Sequence, residues 1–116
     1  YTLVLTLYPN NITLNSSAAS YFKDVRWSMI GLDKETHLLA IKPVTKREVD
    51  LQLVPLDQLH KVSVGKGYAR ISNKTIIEEI SYMIDADIDG LKVNATFDEK
   101  ENMLIADLSL LVKDKG

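Results

Sequence analysis

Leu3, Leu5 and Leu7 alternate with Val4, Thr6 and Tyr8, a period of two that predicts a strand buried on at least one face. The turn-forming run Pro9-Asn10-Asn11 follows, then Ile12 and Leu14 as a short second strand. Asn15, Ser16 and Ser17 supply N-caps for a short helix carrying Ala18, Ala19, Tyr21 and Phe22. "WSMIGLD" reads as a strand, residues 33–37 as a hairpin turn, and "LLAIKP" as the returning strand, closed by Pro43. In the middle segment, "VTKREVDLQLVPLDQLHK", Val49, Leu51 and Leu53 alternate as a strand would, up to Pro55.

The same order then recurs. Val62-Ser63-Val64 is a strand, 65–67 a glycine turn, and Ala69-Arg70-Ile71 a short strand. Ser72 or Asn73 caps a helix, "KTIIEEISYMI", whose Ile76, Ile77, Ile80 and Ile84 share a face. "LKVNATFD", a turn at 98–102 and "MLIADLSLLV" form the closing hairpin. Leu14 matches Ile71 at an offset of 57, which also pairs Leu5 with Val62, Leu7 with Val64 and Asn15 with Ser72. At the hairpin Asp33 matches Asp98 at an offset of 65; the longer helix and the acidic loop of the second copy absorb the difference. The expected architecture is one α+β domain over 1–116: a small β-barrel built from two tandem β-β-α-β-β units, 1–43 and 61–112, joined by 44–60.

"DADIDG" at 85–90 starts as a calcium loop of the EF-hand type does, with three carboxylates at alternate positions ahead of a glycine. Such a loop needs a bidentate Glu at its twelfth position and a helix on either side. The twelfth residue is Thr96, and a strand pattern follows Gly90. The stretch is therefore read as the end of a helix and a tight turn, in which Gly90 supplies a backbone angle other residues resist.

Composition narrows the classes. Hydrophobic residues are 46% of the chain and charged residues 26%, values of an ordinary globular domain. Cysteine is absent, which rules out disulfides, a thiolate nucleophile and a Cys-ligated metal, and a reducing cytoplasm suits such a chain. No apolar run approaches the ~20 residues of a membrane helix, so no membrane partner is expected. Tyr1 in place of Met is what a trimmed N-terminus leaves, and the apolar opening lacks the basic flank of a signal peptide. Of four N-x-Ser/Thr sequons, Asn15 and Asn73 are accounted for as helix caps, Asn94 sits in a strand, and Asn11 belongs to the first turn.

His37 and His60, the only histidines, lie in a turn and a linker with no metal-ligand spacing between them. Glu78 and Glu79 are adjacent on a helix and diverge. No nucleophile elbow or phosphate loop is present, and "GKG" alone is a turn. Neither catalysis nor a cofactor is expected.

The stretch "YARISNKTIIEEI…IDGLKVNATFDEKENMLIAD" resembles the AbrB-like swapped-hairpin family: Gly67 before Arg70-Ile71, a helix led by Lys74, a turn at Asp89-Gly90, and a hairpin around 98–102. The first half is similar more loosely, through "ITLNSSAASYF" and "VRWSMIGLDKETHLLAIKP", and the tandem arrangement resembles MraZ-type members. Two departures stand out: Ser72-Asn73 where the family often has proline, and Asp89-Gly90 in place of Gly-Asp. The resemblance implies interleaved hairpins in one barrel and recognition of double-stranded DNA by basic side chains of the turn and short strand. Mapped onto this chain, those are Lys66, Arg70 and Lys74, with Lys23 and Arg26 nearest in the first unit; Thr13 stands where the second unit has Arg70. A net charge of −2 offers no general attraction to nucleic acid, so any such contact needs a local patch. The alternative is a protein-interaction module, antitoxin-like or adaptor, with Trp27, Met29 and Tyr82 as apolar candidates and the middle segment as an edge for a partner. Either role is compatible with assembly into oligomers.

Overall fold

The computed structural model describes residues 2–112. Eight antiparallel strands close into a barrel: β1 (Leu3–Tyr8), β2 (Asn11–Leu14), β3 (Trp27–Asp33), β4 (Leu38–Val44), β5 (His60–Gly65), β6 (Tyr68–Ser72), β7 (Leu91–Asp98) and β8 (Met103–Asp107). Their order around the wall is β1-β2-β6-β5-β3-β4-β8-β7. Hairpins from the first and second halves of the chain thus alternate around the ring.

Alternation along each strand fills the inside. Leu5, Leu7, Ile12, Leu14, Leu39, Ile41, Ile71 and Leu104 are fully buried, and the intervening residues face outward. The two first hairpins share one register. Leu5 stands opposite Leu14, and Val62 opposite Ile71. The two second hairpins do likewise, with Asp33 opposite Leu38 and Asp98 opposite Met103. The offsets of 57 and 65 read from the sequence thus match the pairing inside the hairpins, but not between them: Leu3 stands opposite Ala95, whereas His60 stands opposite Ser28 and not Ile30.

Three helices lie between strands. Helix α1 (Ser16–Ala19) starts at Asn15, whose side-chain oxygen accepts from the amides of Ala18 (3.0 Å) and Val4 (3.2 Å), while its amide donates to the Thr2 carbonyl (2.9 Å). One asparagine so fixes both the helix start and the edge of β1. A turn of 3₁₀ helix continues through Phe22, which is fully buried. Helix α3 (Lys74–Ile84) starts at Asn73 (Oδ1 to the Ile76 amide, 3.1 Å) and buries Ile76, Ile77, Ile80 and Ile84. It ends at Asp85 in the left-handed region. Past it, Ile88 turns back into the core and the Gly90 amide donates to the Leu7 carbonyl (2.8 Å). The acidic stretch is a helix-to-strand turn, with Asp87 and Asp89 exposed and Gly90 at φ 85°.

Three details differ from the sequence reading. Residues Val49, Leu51 and Leu53 do not form a strand. Lys46–Asp50 is a short helix, α2, closed by a capping box in which Thr45 Oγ1 accepts from the Glu48 amide (3.1 Å) and Glu48 Oε1 accepts from the Thr45 amide (3.1 Å). That local exchange of hydrogen bonds outweighs a short period-two pattern with no free strand beside it. The strand β4 runs through Pro43 to Val44, because pairing with β8 stops at Ile41 and the missing amide leaves no ladder bond on that side unmade. Conversely β8 ends at Asp107, where Leu108 turns inward and Ser109–Leu111 forms a 3₁₀ turn; the Asp107 carboxylate accepts from the Ser109 amide (2.9 Å). None of the described helices is long and apolar enough to cross a membrane.

Candidate nucleic-acid interface

The halves meet edge to edge at four seams, and two of them, β1–β7 and β3–β5, are unequal. Between β1 and β7 five pairs form, from Leu3 opposite Ala95 to Leu7 opposite Leu91. Between β3 and β5 only two form, Trp27 opposite Lys61 and Ser28 opposite His60. One further bond, from the Val62 amide to the Arg26 carbonyl (2.8 Å), ends the seam. Beyond it Asp24, at φ 62°, turns the chain away from β5.

A cleft of ≈ 920 Å³ opens there, within the ~300–1,000 Å³ range of ligand clefts. On one side stand Ser16, Ser20, Lys23 and Arg26; on the other, the β5–β6 turn with Gly65, Gly67 and Tyr68. Lys46 of α2, 3.9 Å from the Asp50 carboxylate one turn on, adds a third cation to the lining, and Asp24 adds a carboxylate. Lys23, Arg26 and Lys46 are all exposed, so their charges stay hydrated and fall off within a Debye length of ~8 Å at physiological salt.

Why the turn has this shape follows from its glycines. Gly67 sits at φ 84°, in the left-handed region. At Gly65 the Tyr68 ring lies where a Cβ would stand, so only glycine lets the ring fold back over the turn. The Arg70 guanidinium lies 5.5 Å from the centre of that ring. This distance suits a cation–π contact, worth ~0.5–1 kcal/mol at an exposed site. Arg70 is thereby directed along the outer face toward the turn that carries Lys66.

Of the residues singled out in the sequence, the fold brings four into one neighbourhood. Lys23 and Arg26 line the cleft, Lys66 lies between two lining glycines, and Arg70 packs on a lining tyrosine. Lys74 follows the far end of β6 from the turn and is ion-paired to Glu78 (3.7 Å) on the helix surface. Lys46 was missed. It belongs to the middle segment, assigned to neither repeat, and only the capped helix α2 puts its side chain on the cleft. Lys61, outward on β5 opposite Trp27, was likewise invisible as a neighbour until the strand order was known.

The histidines stand elsewhere. The His37 carbonyl accepts from the Leu108 amide (2.8 Å). Two flanking carboxylates are held below the usual range. The Thr36 and Glu35 amides donate to Asp33, and the Ser109 amide to Asp107, with a smaller favourable effect of His37 on both. His60 begins β5 and its ring lies 3.4 Å from Asn73 Nδ2. Among the described residues no group of three His, Asp or Glu side chains is arranged to hold a metal ion.

Of the apolar candidates, Trp27 and Met29 are half-buried on the outside of β3, and Tyr82 is 89% exposed on α3 rather than in the core. No protein-family model matches the chain, and neither a curated protein nor a solved structure matches it.

Proposed function

We propose that this protein is a DNA-binding regulator, a tandem swapped-hairpin domain of the AbrB-like kind, that engages duplex DNA with its β5–β6 ribbon. The observation that carries the reading is a concentration of positive charge. Lys23, Arg26 and Lys46 converge on the turn bearing Lys66, with Arg70 beside it, in a chain whose net charge is −2. The major groove of B-DNA admits a two-stranded β-ribbon. Outward positions of this one carry Lys61, Ser63, Tyr68 and Arg70. Lysine and arginine would hold phosphates, and Arg70 is the side chain suited to a guanine edge. Alternation of the hairpins and the two shared registers support the tandem origin.

A mobility-shift titration of random duplex against salt tests this. Binding at low salt should weaken steeply as salt rises. Lys66→Ala and Arg70→Ala should each flatten the slope of log K against log salt by about one. Lys74→Ala should do less, since that lysine lies past the other end of β6. Absence of any shift at low salt removes the reading.

A second reading, a protein-interaction module, draws on one other observation. Met29, Leu38, Ala40, Met103 and Ile105 lie half-buried on the outside of β3, β4 and β8, and several line a shallow apolar depression of ≈ 690 Å³. Leu51, Leu53 and Leu56 are exposed on the segment between α2 and β5.

A further inference from the structure

The two halves of the barrel differ at one matched position. At the offset of 57, Val64 is the counterpart of Leu7. Leu7 is fully buried and pairs with Leu91 of β7, whereas Val64 is 49% exposed and pairs with β6 alone. The second seam is set two residues out of step with the first, His60 standing opposite Ser28 where the offsets would put Ile30, and its pairing with β3 ends at Val62.

Backbone directions say what the gap offers. In the β5–β6 hairpin, Gly65 and Tyr68 flank a two-residue turn, so residues 63 and 65 exchange ladder bonds with β6. Residues 62 and 64 point the other way, as the Val62 amide does toward Arg26. The amide and carbonyl of Val64 therefore face the cleft, and no described strand stands opposite them. An unpaired strand edge is a template for an added strand. Lys23, Arg26 and Lys46 surround it and select the charge of whatever adds.

We propose that the β3–β5 seam accepts an extended acidic peptide segment of a partner protein as an additional strand on β5. Main-chain bonds to Val64 would supply the pairing, an apolar side chain on the peptide would cover Val64, and Asp or Glu on the alternate positions would meet the three cations. Since Lys23 and Arg26 belong to both surfaces, such a peptide displaces duplex DNA wherever duplex binds. Peptide docking stands or falls without the DNA reading.

The test uses the whole ¹⁵N-labelled chain and two synthetic peptides. Both keep the inward Leu, Val, Ala and Phe of β7 in order, since β7 fills the matched seam; one carries Asp and Glu between them, the other Lys. The acidic peptide should bind, move the Val64 and Gly65 amide resonances, and slow hydrogen exchange at Val64. Lys23→Glu and Lys46→Glu should each weaken it about tenfold. N-methylation of the peptide residue facing Val64 should cost about tenfold as well, a readout that asks nothing of the folding of a variant. Failure of the acidic peptide to bind at low salt overturns the proposal. So does equal binding of the lysine peptide, binding that leaves Val64 unchanged, or indifference to N-methylation. Duplex binding with no peptide binding also overturns it and leaves the DNA reading in place.

Discussion

Leu7 and Val64 hold matched places in the two halves, yet truncating them should have very different consequences. Leu7 has no exposed surface and lies inside the barrel wall between β2 and β7. Leu7→Ala removes three carbons from a packed interior and leaves a cavity, at a cost of about 3 kcal/mol. Val64 has half its surface in water and no strand on its open side. Val64→Ala removes two methyl groups that are already largely hydrated, so the loss should stay near 0.5 kcal/mol. With a urea dependence of about 1.3 kcal/mol per molar, the first variant should unfold roughly 2 M earlier than the parent and the second within about 0.5 M of it. Equilibrium urea unfolding followed by far-ultraviolet circular dichroism measures both. Equal midpoint losses would mean that Val64 is as tightly packed as Leu7, and the open seam would not exist in solution.

Thr45→Ala removes the capping box of α2 and should cost about 1 kcal/mol by the same urea assay; as α2 carries Lys46, any peptide or duplex affinity should drop with it. Gly65→Ala forces the Tyr68 ring off the turn and releases Arg70 from it, so tyrosine fluorescence should change and duplex affinity fall several-fold, whereas Gly31→Ala, with open space at its Cβ, should do neither. Asp33 and Asp107 have folded pKa values below their unfolded ones, so the stability they contribute is present at neutral pH and lost as pH falls through the folded values. Below about pH 4 the urea midpoint should decline, and Asp33→Asn should flatten that decline by lowering the neutral midpoint toward the acid one. Calcium titration should leave the melting temperature unchanged, since Asp87 and Asp89 flank a turn whose geometry is set by Ile88 and Gly90.

Much of the local structure was written in short-range pattern. The alternation Leu5, Leu7 and Ile12, Leu14 needs only the two-residue period of a strand and one apolar side to bury. Lys74–Ile84 was legible to the residue, because Asn73 caps it and isoleucines mark one face. Where local signals competed, the reading failed. The spacing of Val49, Leu51 and Leu53 imitated a strand, and the capping box between Thr45 and Glu48 proved decisive. At 108–112 the apolar run continued, but after Leu108, buried in line with Leu104 and Ala106, the chain turns into a 3₁₀ turn.

The candidate site divides along the same line. Lys66 and Arg70, named from the resemblance, could be placed near each other because they share a hairpin, whose two strands are neighbours in sequence and in space. That Lys23 and Arg26 face the same turn depends on the order β6-β5-β3, a contact between halves. No period or cap encodes it. Lys46 joins them only through α2, and the unpaired edge at Val64 exists only as a difference between two seams that a linear chain does not contain. Side-chain periodicity reports which way a residue faces within its own element; which element stands opposite is decided by closing the whole ring around one core.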